Sequence, residues 1–327
     1  METRVLGRSG IEVSALGMGC WAIGGPFWRG AAPVGWGEVN DQESMQALER
    51  ALDMGVTFFD TADVYGCGHS ERILGAVLAG QRQDVVIATK FGNVFDEQTK
   101  RITGFNAEPE FVRRACEASL RRLNTDYIDL YQFHKGDYDV DRADEVLETL
   151  ERLVEEGKIR AYGWSTDDPE RARAFARGEH CTAIQQRLNI FEGSAETLAI
   201  CEAESLASIN RGPLAMGLLT GKFSADSTLP ANDVRKDWDF RSGPQAKRLR
   251  MLEELREVLT AGGRTLAQGA LGWLWARSAV TVPIPGFKTV AQVEENAGAM
   301  AFGPLSETQM ADVAELVVSG HSGNDAN

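Results

Sequence analysis

Three apolar, strand-like runs in this chain end in side chains of complementary acid–base character. Val56-Thr57-Phe58-Phe59-Asp60-Thr61-Ala62-Asp63-Val64-Tyr65-Gly66 carries Asp60 and Tyr65. Val85-Val86-Ile87-Ala88-Thr89-Lys90-Phe91-Gly92 carries Lys90, and Tyr127-Ile128-Asp129-Leu130-Tyr131-Gln132-Phe133-His134 ends in His134. A fourth run, Ala161-Tyr162-Gly163-Trp164-Ser165-Thr166, ends in two hydroxyls. A carboxylate, a phenol, an amine and an imidazole at one site suit proton transfer to or from an oxygen atom. Tyr65 is the expected donor. A free phenol has a pKa near ~10, and a neighbouring ammonium lowers it. Lys90 would supply that charge and Asp60 would hold it in place. His134 would orient the substrate oxygen or help pass the proton. Singly, these residues read as a strand-end cap, a turn aromatic, a solvated lysine and a satisfied polar group. Together, at the ends of successive strands, they point to chemistry.

Side chains at the carboxyl ends of different strands meet at one mouth in a barrel of parallel strands. The sequence has the elements for one. Strand-like segments centre on Leu16–Cys20, Thr57–Asp60, Val85–Thr89, Ile128–His134, Ala161–Ser165, Ala183–Gln185, Leu206–Ile209 and Val280–Ile284. That is the number a closed (β/α)8 barrel needs, and several are almost wholly apolar, as strands covered on both faces should be. Helical patterns fill the gaps. Met45, Leu48, Ala51 and Leu52 share a face, with Asp41 as the expected cap and Gly55 beyond the end. Val146, Leu147, Leu150, Leu153 and Val154 repeat the spacing before Gly157. Asp168-Pro169 reads as an N-cap followed by a first-turn proline, and Ser306-Glu307-Thr308-Gln309 as a capping box. The alternation predicts an α/β (TIM-barrel) fold as one domain over residues 1–318, preceded by a hairpin over Val5–Val13. Ser224–Pro244 is long, polar and without periodicity, and is expected to lie as a lid over the mouth. Residues 319–327 are expected to be a disordered tail.

Composition narrows the function classes. The 327 residues carry a formal net charge of −14, which disfavours nucleic-acid binding, since phosphate contacts need clustered Lys and Arg. Four histidines without an HExxH pair give a zinc hydrolase no support, and no metal site is expected. Five cysteines, Cys20, Cys67, Cys116, Cys181 and Cys201, are scattered without a CxxC pair, against a disulfide framework. Cys67, close to Tyr65, reads as an idle buried thiol rather than a redox sensor. No signal-like or membrane-spanning run is evident, so no membrane partner is expected and a cytoplasmic location is the simplest reading.

The motif FFDTADVYG, the lysine in ATKFG, the histidine ending LYQFH and the run PLAMGLLTGK together resemble the aldo-keto reductase superfamily, and the similarity extends over nearly the whole chain. That resemblance implies a barrel plugged at its base by an amino-terminal hairpin. It implies NAD(P)H-dependent reduction of small aldehydes, ketones or sugars, with alcohol oxidation as the reverse. It makes Tyr65 the general acid, Lys90 and Asp60 its tuning pair, and His134 the residue that orients the carbonyl.

By the same resemblance, Ser165, Thr166 and Gln185 hydrogen-bond the nicotinamide carboxamide, and Arg211 stacks where many members place a tyrosine. Gly212, Leu214 and Gly217 cradle the pyrophosphate. Gly286 leads into a carboxyl-terminal cofactor-binding helix, whose amino-terminal amides favour phosphate. Lys288 and Thr289 would meet a 2′-phosphate, and Gln292, Glu295 and Asn296 the adenosine, so NADPH is expected over NADH. Trp21, Phe27, Trp28 and Trp238 are expected to wall the substrate pocket, with Trp164 either beside them or in the core. The absence of a GxGxxG fingerprint leaves no case for a Rossmann domain. A second reading is a non-catalytic, nucleotide-binding regulatory subunit, because the channel β subunits of potassium channels share this fold. A Schiff-base lyase using Lys90 fits poorly, since Asp60 would keep the amine charged.

Overall fold

Eight parallel strands form the centre of the molecule, and the residue pattern of each explains its place. The computed structural model describes residues 2–322. The strands are β1 (Gly17–Gly19), β2 (Phe58–Asp60), β3 (Val86–Phe91), β4 (Ile128–Phe133), β5 (Ile159–Ser165), β6 (Cys181–Asn189), β7 (Ala207–Arg211) and β8 (Thr281–Pro283). They pair in sequence order from β1 to β8. A parallel bridge between Gly19 and Gly286 completes the circle, with Gly19 N–H donating to the Pro285 carbonyl at 3.0 Å. The expected (β/α)8 barrel is present.

Two apolar layers hold it. Helices pack outside, as on Asp41–Asp53, where Ala47, Leu48 and Ala51 are buried. Inside, Phe58, Val86, Ala88, Leu130, Ala161, Ala183, Ala207, Ile209 and Val282 share one cluster with Leu6, Ile11 and Val13. The last three come from an antiparallel hairpin, Thr3–Val5 with Glu12–Ser14. The hairpin therefore plugs the barrel, and the inward-facing alanines leave room for it. Because side chains alternate along a strand, the residues two places further on, Asp60, Lys90, Gln132 and Gln185, form the next inward layer towards the carboxyl ends.

Most local signals behave as expected. Gln309 N–H donates to Ser306 Oγ at 3.2 Å and Gln309 Oε1 accepts from Ser306 N–H at 3.0 Å, which completes the capping box. Asp168 accepts from the amides of Glu170 and Arg171. One cap moves by a residue: Asn40, not Asp41, accepts from Glu43 N–H at 3.1 Å, which puts Asp41 inside the first turn of its helix. The last helix is Glu307–Ser322, so it enters the segment expected to be a tail; residues 323–327 lie outside the described residues.

One feature was not anticipated. A four-stranded sheet sits at the mouth, built from Trp28–Arg29, Ala32–Pro33, Asn93–Asp96 and Arg101–Phe105. It joins the loop after β1 to the loop after β3. The segment after β7 crosses towards it: Val234 N–H donates to the Gly35 carbonyl at 2.8 Å, and Asp233 bridges to Trp36.

Closure tolerates little extra volume. A Cβ at Gly19 would lie 2.7 Å from the Ile284 carbonyl oxygen, closer than real contacts allow. Gly19→Ala is expected to lower stability by about 1–3 kcal/mol. Thermal or denaturant unfolding checks this; an unchanged midpoint would mean that the β1–β8 seam yields freely.

Candidate active site

Lys90 is fully buried at the end of β3, and each of its three N–H bonds has an acceptor. Nζ donates to Asp60 Oδ1 at 2.5 Å, to the Thr61 carbonyl at 2.7 Å and to Tyr65 Oη at 3.3 Å. Asp60 is equally committed. Its Oδ2 accepts from Gln132 Nε2 at 2.9 Å and Gln185 Nε2 at 2.7 Å, and Gln185 Nε2 also lies 3.1 Å from Gln132 Oε1. Strand register produces the arrangement. Lys90 stands opposite Gln132, and Asp60 opposite Ala88, two residues before Lys90 on the same face.

The electrostatics follow from burial and this pairing. Burial presses the Lys90 ammonium downwards, but Asp60 and Tyr65 outweigh it and the group is held above its ordinary value. Burial raises the Tyr65 phenol, and the Lys90 charge opposes without cancelling that effect. The phenol is thus held above its ordinary value. This corrects the expected net lowering: the ammonium acts in the expected direction, but loss of solvation is larger. Tyr65 stays protonated at neutral pH and keeps a proton to give.

Tyr65 is placed by consecutive turns after β2. Tyr65 N–H donates to the Ala62 carbonyl at 3.1 Å and Cys67 N–H to the Val64 carbonyl at 2.9 Å. Gly66 adopts φ +57°, and a Cβ there would collide with the Gly24 carbonyl oxygen at 1.8 Å, so the loop requires glycine. Trp21 stacks on the phenol ring at 5.9 Å, and His134 meets its edge at 5.9 Å. Burial holds the His134 imidazole well below its usual range, aided by Lys90, Arg211 and Arg29. A neutral imidazole has one N–H to offer an acceptor.

These groups open into a cavity of about 910 Å³. Asp60, Tyr65 and His134 line it, with Lys90 just beneath. Cations surround it although the chain is strongly acidic: Arg29, Arg187, Arg211, Lys222, Arg235 and Lys288 all reach the wall. Ser165, Gln185, Arg211, Gly212, Leu214 and Gly217 lie there, as do Gly286, Lys288, Gln292, Glu295 and Asn296. Gln185 arrives with its amide nitrogen already given to Asp60. Thr166 and Thr289 do not reach the wall. Thr166 Oγ1 donates to the Gly136 carbonyl at 3.0 Å, and Thr289 caps the following helix by accepting from Gln292 N–H at 3.3 Å.

The aromatic expectations divide in the same way. Trp21, Phe27 and Trp238 line the cavity. Trp28 does not; its neighbours Phe27 and Arg29 do, because alternate strand residues face opposite sides. Trp164 is core, with Nε1 donating to the Lys135 carbonyl at 2.9 Å. Phe240 is buried against Phe223 and Trp238 and packs the crossing segment shut. Cys67 is a buried thiol pushed up to about 11, chiefly by burial.

Residues 15–318 match the sequence pattern of the Aldo/keto reductase family. The chain belongs to that family. A probable aldo-keto reductase 1 from Glycine max is 31% identical over 321 residues, covering 96% of this chain and 88% of the relative. The structure of a glycerol dehydrogenase from Gluconobacter oxydans superposes with a TM-score of 0.83 at 30% identity, covering 97% of this chain and 95% of the other. An aldo/keto reductase from Klebsiella pneumoniae, solved in complex with NADP and acetate, gives a TM-score of 0.70 at 28% identity, over 97% and 96%.

As a member of an oxidoreductase family, the chain shows site residues that its motifs did not single out. Gln132 fixes Asp60, and the signal was its place two residues before His134 on an alternating strand. Lys222 ends the quoted PLAMGLLTGK run. Arg235 lies in the segment read as a lid. Its Nε and Nη2 donate to Asp233 at 2.9 and 2.7 Å, its Nη1 to the Met216 carbonyl at 2.9 Å, and it stacks 4.4 Å from the Trp36 ring. It thereby grips a strained turn in which Ala215 and Met216 have φ of 48° and 55°.

Proposed function

We propose that the protein is an NADPH-dependent carbonyl reductase in which Tyr65 is the proton donor. The observation that carries the reading is the buried Lys90 ammonium, bonded at once to Asp60 and to the Tyr65 hydroxyl at the floor of a cationic cavity. Family membership and the NADP complex of the Klebsiella relative support the cofactor.

The residues present fit such a cofactor. Lys222, Arg235 and Lys288 converge from the segments after β7 and β8, and each acts electrostatically on another, as on Lys222, which burial and Arg235 hold below its ordinary value. Like charges gathered in a partly buried wall call for an anion. Lys288 Nζ donates to the carbonyls of Trp36 and Glu38, and burial holds it below its usual range. It keeps a third donor for a 2′-phosphate. Bound NADPH supplies hydride to the substrate carbonyl carbon.

The chain's own residues do the rest. Tyr65 protonates the carbonyl oxygen as negative charge builds there. Lys90 stabilises the phenolate left behind, and Asp60 keeps Lys90 charged. Gln132 and Gln185 hold Asp60 in line, and neutral His134 hydrogen-bonds the substrate oxygen. Trp21 stacks on the phenol ring, and Phe27 belongs to the apolar cluster beside it. Small aldehydes and ketones suit the apolar wall at Trp21, Phe27 and Trp238, and sugars the polar groups around it. Five buried cysteines without disulfide partners accord with a cytoplasmic location. Among the described residues no helix is long and apolar enough to cross a membrane.

Two outcomes test this reading. Tyr65→Phe is expected to reduce turnover of an aldehyde panel by roughly 10²–10⁴-fold while nucleotide still binds. NADPH oxidation and fluorescence titration measure the two; near-normal turnover would remove Tyr65 as the acid. Lys288→Ala is expected to weaken NADPH by about tenfold more than NADH, since one charge-assisted bond to phosphate is lost. Equal losses would remove Lys288 from the 2′-phosphate.

A further inference from the structure

The cations at the mouth differ in origin: Arg187 and Arg211 stand on β6 and β7 themselves. Lys222, Arg235 and Lys288 come from the segments after β7 and β8. Arg29 comes from the loop after β1, pairs with Ile102 of the loop after β3, and lines the same cavity as Tyr65 and His134. It is among the cations that keep His134 neutral, whereas the other three are not.

Arg29 also differs in its partners from the other arginines of the wall. Arg211 pairs with Asp167, Arg235 with Asp233 at 2.7 Å, and Arg187 with Glu192 at 3.7 Å. Among the described residues, the side-chain bond of Arg29 goes to a neutral amide: Nη2 donates to Asn93 Oδ1 at 3.2 Å. Asn93 is itself buried and lines the cavity. Asp60, the carboxylate at the cavity floor, is already filled by Lys90, Gln132 and Gln185.

The backbone of Arg29 is paired on both sides. It pairs with Ala32 on one side and Ile102 on the other, and Arg101 donates to the Gly30 carbonyl. A guanidinium fork carried on a strand is a ready site for a carboxylate or phosphate. Phe27, Val34 and Ile102 line the cavity and share one apolar cluster with Tyr65.

We infer that Arg29 selects carbonyl substrates that carry an anionic group, holding the carboxylate or phosphate at the mouth while the carbonyl reaches Tyr65. The inference rests on the carbonyl-reductase reading and names the substrate class for it. An anion there gains a charge-assisted, two-point contact that a neutral analogue lacks. The gain appears as a difference in kcat/KM between matched substrates.

The test uses the whole protein with saturating NADPH and two matched pairs: 4-carboxybenzaldehyde against benzaldehyde, and glyceraldehyde 3-phosphate against glyceraldehyde. The anionic member of at least one pair is expected to have the higher kcat/KM by about tenfold or more, mostly through KM, with the advantage shrinking at high salt. The pair that shows it assigns carboxylate or phosphate. Arg29→Met should abolish most of the preference, and Arg29→Lys should keep part of it. Equal efficiencies within both pairs, or an undiminished preference in Arg29→Met, would overturn the inference. Failure to oxidise NADPH with all four aldehydes is a different result, and rejects the reductase reading together with this one.

Discussion

The ion pair between Lys90 and Asp60 constrains the rest of the molecule. An ammonium and a carboxylate removed from water each lose several kcal/mol of solvation, about as much as good geometry can return. The pair persists inside the barrel because both members are fully supplied with hydrogen-bond partners. Those partners come from β2, β3, β4 and β6. Four strands must therefore end at the right height, and register fixes that height. The hairpin beneath supplies apolar filling, so the charged layer rests on a packed floor rather than on water. Removing either ion would leave the other buried and unmatched.

The same pair governs the phenol. Tyr65 experiences two opposed effects, loss of solvation and attraction of its ionised form to Lys90. The first keeps the proton on the oxygen. The second steadies the anion once the proton has gone. An acid poised this way is reluctant to ionise idly, yet finds a counterion in place when a carbonyl oxygen takes its proton. Around it, six cations of an acidic chain line the cavity, which favours anions there.

Much of this was legible in the sequence. All eight strands fall where apolar runs predicted, and Asp60, Tyr65, Lys90 and His134 converge as their strand-end positions required. Sequence reasoning failed where several non-local terms compete. Lys90 lowers the phenol, as adjacency suggests, but the depth of burial that outweighs it depends on the loops above. Trp28 was expected in the pocket wall and its neighbour Arg29 lies there instead, because their strand is only two residues long, too short to show a period. The sheet at the mouth joins segments about seventy residues apart, and nothing local marks that pairing. Thr166 and Thr289 have suitable chemistry, but turns and caps consume their hydroxyls first. Gln132 was visible in principle, since it shares the inward face with His134, but an amide in an apolar strand attracts attention only once its carboxylate partner is known.

The pH dependence of kcat for aldehyde reduction, compared between the wild-type protein and Lys90→Met at saturating NADPH, tests the central claim most directly. Reduction needs the protonated phenol, so the rate falls as pH rises through the phenol's ionisation. Loss of the ammonium removes the group that favours phenolate, so the alkaline limb in Lys90→Met should move to higher pH, with a lower plateau. A limb that stays in place, or moves to lower pH, would contradict the account.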